Sequence, residues 1–204
     1  MRVTLTELVD IVSRAGTPKA TKVAQIKARQ GEYSPQTDFY KMLRDRIVFT
    51  HKSSGEKTSL NGLMAKVTSE TRLKAYPSMI LAYKKWWGRK ELVWFAPPSA
   101  IYSKNGVSVS INPELGLLIN GIPYVVKLYF KADQLKKTGA DLVTALMECS
   151  LAGSVDPGTH FAVLDIRHGK LHVCTGTGSP AVLAMVNGEL AYIAELWTSM
   201  ARAA

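Results

Sequence analysis

Two charges interrupt an apolar run within residues 112–131, NPELGLLINGIPYVVKLYFK: Glu114 lies ahead of Asn120-Gly121 and Lys127 after it. Asn-Gly between apolar runs is a strong hairpin signal, because both central residues of a type I′ turn need positive φ. The flanking runs, 117–119 and then Val125 and Val126, are apolar without alternation, as in central strands covered on both faces. A lysine in such a strand is expensive to bury without a partner or a ligand. Glu114 is the nearest candidate in sequence. If the two side chains share a sheet face, carboxylate and ammonium meet over a common metal or phosphate. Otherwise Glu114 caps a turn, and Lys127 lays its stem on the core with its ammonium in water. The count between them hinges on Pro113, which can break a strand, and on a bulge near Gly116, which would reverse it.

Lys84-Lys85-Trp86-Trp87-Gly88-Arg89-Lys90 places four cations and two indoles within seven residues. Lysine and arginine neutralise phosphates, and indoles stack on unpaired bases, so this run is a candidate nucleic-acid contact. On a helix the two tryptophans point about 100° apart. One is expected in the core, with the other open to a ligand. Asp165, His168, His172 and Cys174 fall within ten residues and have zinc-ligand chemistry. Their spacing fits no strong zinc pattern, so a core thiol and turn histidines are expected. Thr175-Gly176-Thr177-Gly178 precedes a helix that Ser179-Pro180 would open. Without Gly-Lys-Ser/Thr it reads as a turn rather than a phosphate loop. His51, at the end of a helical stretch, is expected as a C-terminal cation or a phosphate contact.

The elements that must position these residues change character near residue 90. Residues 1–90 hold 18 Lys and Arg against 7 Asp and Glu, whereas residues 91–204 hold 8 against 9. The net charge of +10 therefore belongs to the first half. That asymmetry favours a polyanionic partner, nucleic acid before a membrane surface. Helical spacing is expected over 3–15, with Gly16-Thr17-Pro18 ending it, then over 19–30, from Ser34-Pro35 to about His51, over 59–67 and over 69–87, with a break or kink at Pro77. Strands are expected at 92–95, 107–111, on both sides of Asn120-Gly121, at 161–166 and at 171–174. Helices follow at 132–151 and after Pro180, the last with a break near Asn187-Gly188. The fold class is α+β: a basic helical region over 1–90, then an α/β domain over 91–204 with a mixed sheet flanked by helices. Residues 91–175 are expected in one sheet, centred on 107–131. No apolar run reaches a membrane span. Glu7 and Asp10 stand where an export signal needs an uncharged core. Two cysteines are too few for a disulfide scaffold, so a cytoplasmic setting is expected.

A strand, a hairpin carrying an acid and a lysine, a helix and a further strand resemble the core of the PD-(D/E)XK nuclease superfamily over about residues 91–175. Pro113-Glu114 stands where that family has Pro-Asp, and Val125-Val126-Lys127 where it has acid-x-lysine. The resemblance implies a restriction-endonuclease-like order β-β-β-α-β and Mg²⁺- or Mn²⁺-dependent phosphodiester cleavage. Glu114 would be a metal ligand, and Lys127 would orient the attacking water. Val125 replaces the second carboxylate. Activity would then require an acid from elsewhere, Asp165 or Asp141 first and Asp133 or Glu148 after them, with Asp165 the second metal ligand. Without one, the core is a scaffold that only binds DNA or RNA. The competing class is a non-enzymatic assembly subunit whose basic face meets an acidic protein.

Overall fold

The Asn120-Gly121 turn forms with φ of 51° and 84°, joining β5 (Leu115–Ile119) to β6 (Ile122–Tyr129). The computed structural model describes residues 1–12, 14–29, 38–174 and 180–202, with side chains described through 199. The helix start expected at Ser34-Pro35 and the loop at 175–178 fall outside these residues. Pairing across the hairpin is unbroken, with Leu115 opposite Val126 and Gly116 opposite Val125, so Gly116 makes no bulge. It has a different task. A Cβ at Gly116 would lie 2.4 Å from the Phe95 carbonyl oxygen and 2.6 Å from its ring. The neighbouring strand β2 (Leu92–Phe95) can approach β5 this closely only over a glycine.

Two sheets form where one was expected. The larger has the order β2-β5-β6-β7-β8, with β7 at His160–Asp165 and β8 at Lys170–Val173. All its pairs are antiparallel except β6–β7. Within it the chain runs β2, β5, β6, then helix α5 (Lys137–Leu151), then β7 and β8. Strand β4 (Val107–Ile111) leaves for a second sheet, β1-β4-β3. There it pairs with β3 (Ala100–Lys104) through an Asn105-Gly106 turn, and in parallel with β1 (Arg2–Thr4). Neither β1 nor β3 was expected. Serine and lysine in β3 dilute its apolar pattern, and β1 is only three residues long.

The charge changes at residue 90, and packing joins residues from both sides of it. Helix α1 (Leu5–Val12) and helix α2 (Gly16–Ala28) share a core with α5, the second sheet and helix α6 (Pro180–Arg202). Gly16-Thr17-Pro18 opens α2 instead of ending α1. Helix α3 (Lys41–Lys52), a 3-10 segment (Lys57–Lys66) and helix α4 (Glu70–Trp87) cover the opposite face of the larger sheet and form a second core. Helix α4 runs through Pro77, and α6 through Asn187-Gly188, as single helices. Among the described residues, no helix is long and apolar enough to cross a membrane.

His51 is not a surface cation. It lies one turn beyond Ile47 on the inward face of α3 and is 3% exposed. Its Nε2 is 2.6 Å from the Tyr83 hydroxyl, and its ring stacks on Trp87. Burial pushes its pKa down to about 4 and the Tyr83 phenol well above its ordinary range. As pH falls, the unfolded chain takes up this proton before the folded one. The contribution of His51 is therefore complete above its ordinary pKa of 6.5 and is lost as pH falls toward 4. A displacement of this size corresponds to about 3 kcal/mol. In urea titrations, His51→Gln is expected to remove that part of the stability loss between neutral pH and pH 4. An unchanged pH profile would exclude His51 as its source.

Candidate nucleic-acid interface and the acid–lysine hairpin

The unbroken hairpin register brings Glu114 and Lys127 together. Lys127 Nζ donates to Glu114 Oε1 at 2.6 Å and to the Asn112 carbonyl at 3.0 Å. Glu114 Oε2 accepts the Leu128 N–H at 2.7 Å. Both side chains are 13% exposed. Strand alternation puts Lys127 on the face of β6 that carries Val125 and Tyr129, over the α5 side of the sheet, while Val126 and Leu128 face the α3–α4 side. Val125, at the position of the absent acid, is fully buried.

Asp165 lies on the same sheet face, opposite Tyr129 in register, but it is committed elsewhere. Its Oδ2 accepts the Leu135 N–H at 3.1 Å and lies 2.9 Å from His168 Nδ1. Its Oδ1 accepts the His168 N–H at 3.3 Å, and the side chain has no exposure. Asp165 therefore ties the approach to α5 to the turn after β7. Asp141 pairs with Lys137 on the outside of α5 at 2.6 Å, and Glu148 meets Cys174 Sγ at 3.4 Å. Asp10, which the sequence reading passed over, is buried between Lys22 at 3.1 Å and Lys131. Burial opposes its ionisation, but these two ammoniums outweigh it and hold its carboxyl below the ordinary value.

A hard divalent cation needs several oxygen ligands. Each Glu114 oxygen and each Asp165 oxygen already accepts at least one hydrogen bond from a protein donor. Among the described residues no three His, Cys, Asp or Glu side chains converge so as to hold a metal. Among the described residues the donors, as bonded, do not fit Mg²⁺ or Mn²⁺, and Asp165, His168, His172 and Cys174 do not converge on a zinc site.

The cations of the other sheet face are arranged differently. Residues 41–90 hold twelve Lys and Arg against three Asp and Glu. Of those three acids, Asp45 pairs with Lys41 and Glu70 with Lys74. Arg44 pairs with Asp38. The other nine cations meet no carboxylate within ion-pair distance among the described residues. Lys85 and Arg89 are exposed, as are Lys52 and Lys66. Lys84 donates to Asn61 Oδ1 at 3.2 Å, and Lys57 to the Gly88 carbonyl, so the 3-10 segment is clamped to α4 from both ends. Lys90 bends back to the Trp86 carbonyl and lies over the Trp86 ring.

The indoles do not form a stacking platform. Trp86 is 7% exposed, on the stripe with Tyr76, Met79, Ile80 and Tyr83. Trp87 is half-buried, with a face against His51. Comparison with known proteins finds no matching family model and no matching curated protein.

Two expectations follow for the hairpin. Lys127→Met is expected to cost about 3 kcal/mol, because it strands a largely buried carboxylate, and Glu114→Gln in the same chain should recover most of it. Urea unfolding of the two single variants and the double variant measures this coupling; additive losses would mean the pair contributes no specific interaction. Val125→Asp is expected to lower the thermal midpoint strongly, with no rescue by Mn²⁺, because it leaves an unpaired charge in the core. A Mn²⁺-dependent rise in that variant's midpoint would show that a metal site can be restored there.

Proposed function

We propose that this chain binds nucleic acid through the α3–3-10–α4 layer and uses its nuclease-like core as a scaffold. One observation carries the reading: nine cations in a single layer have no carboxylate partner among the described residues. Held together by one fold, such charges concentrate positive potential over one face and release counterions when a polyanion binds. The resemblance to the PD-(D/E)XK core rests on the strands of the larger sheet taken alone, β2, β5, β6 and β7 with α5 before β7, once the excursion through β3 and β4 is set aside, and on the direct Glu114–Lys127 contact. The bonding of Glu114 and Asp165 to protein donors favours binding without cleavage. Two cysteines, too few for a disulfide scaffold, fit a cytoplasmic setting.

Fluorescence anisotropy with labelled DNA and RNA across a salt series tests this. Binding should weaken steeply with salt, each neutralised phosphate adding about 0.7–0.9 to the log–log slope. Replacing Lys52, Lys66, Lys85 and Arg89 with alanine is expected to weaken low-salt binding at least about tenfold and to flatten the slope. Replacing Lys104 and Lys136, outside the layer, should change little. Absence of binding to every nucleic acid at low salt would refute the proposal and leave an acidic protein as the partner to seek.

A further inference from the structure

We infer that the polyanion is single-stranded and that Phe49 stacks on one of its bases; this rests on the nucleic-acid reading above. Residues 41–90 contain five aromatic side chains, Phe49, Tyr76, Tyr83, Trp86 and Trp87. Tyr76, Tyr83 and Trp86 are in the core, and Trp87 is packed on His51. Phe49 alone among the five faces solvent, 58% exposed on the outer side of α3. The exposed Lys52 follows it three residues on along α3. The Arg46 guanidinium lies 5.7 Å from its ring centroid and is anchored by a hydrogen bond to the Ser59 carbonyl. Ring and cation are thus offered as a fixed pair.

The ground beside this pair is low. Thr58, Asn61 and Gly62 of the 3-10 segment are exposed, and a Cβ on Gly62 would come within 3.6 Å of Arg46 Nη2. The segment runs between α3 and α4, with Arg46 on one bank and Lys84, bonded to Asn61, on the other. A sugar–phosphate chain following this floor meets cations on both sides. Phosphate contact alone gives no use for an exposed phenyl ring. A duplex keeps its base faces stacked inside, so it can engage the lysines but not Phe49. A single strand offers both phosphates and open base faces, and base–aromatic stacking tolerates any sequence.

The test compares a single-stranded oligothymidine with a duplex of equal length by anisotropy. Phe49→Ala is expected to weaken single-strand binding at least about fivefold, with the salt slope unchanged. Duplex binding should stay as in the parent protein. Phe49→Tyr should restore the single strand. Phe49 is exposed, so thermal melts of the variants should match the parent. If the parent binds with a steep salt slope but Phe49→Ala leaves single-strand affinity unchanged, or weakens duplex equally, this inference falls while the binding function stands. If the parent binds neither, both fall together.

Discussion

Helix α5 has no wet side through its middle. Every residue from 142 to 147 is buried, including Thr144, whose hydroxyl is satisfied by the Ala140 carbonyl at 3.0 Å. A helix apolar all round must be enclosed, and close packing leaves no room for a partial cover. The enclosure is assembled from distant parts of the chain. Helix α5 touches β7 and β8 of the larger sheet, β3 and β4 of the smaller one, and helices α1 and α6. That is why the first twelve residues belong to the same core as the last helix.

The charged residues near this helix are accommodated by pairing. Glu114 with Lys127, Asp165 with His168, and Asp10 with Lys22 and Lys131 all draw carboxylates into local bonds. Removing a buried pair altogether often costs little, whereas removing one member costs several kcal/mol. Such pairs therefore favour one arrangement over its neighbours more than they add stability. Here each joins elements that packing alone would hold less definitely: β5 to β6, the approach to α5 to the end of β7, and α1 to α2 and the end of β6.

Much of the hairpin was legible. A two-residue turn pairs Ile119 with Ile122, and counting back places Glu114 beside Lys127 without further information. Only the chance of a bulge at Gly116 obscured this, and what removed it was the Phe95 ring lying on that glycine, a contact between strands twenty residues apart. The Asn105-Gly106 turn carried the same signal and went unread, because its first strand is half polar. His51 and Trp86 were open to inference from spacing: His51 continues Leu43 and Ile47, and Trp86 continues Tyr76, Met79 and Tyr83. The commitment of Asp165 to Leu135 and His168 was not legible, since it depends on where a loop thirty residues upstream passes. Nor was the exposure of Phe49, which sits among apolar neighbours in sequence and is singled out only by the packing of α3.

Strand β1 lies beside β4 in parallel register, Val3 against Val109. That pairing joins segments about a hundred residues apart, and closing so long a loop is slow relative to local structure. During synthesis at about 5–20 residues per second, Arg2–Thr4 would wait roughly 5–20 s before residue 111 is made, longer before it clears the ribosome. Helix α1 would spend that interval with its apolar stripe uncovered. Helix α1 is thus settled only when residues 107–111 arrive to pair with the strand in front of it.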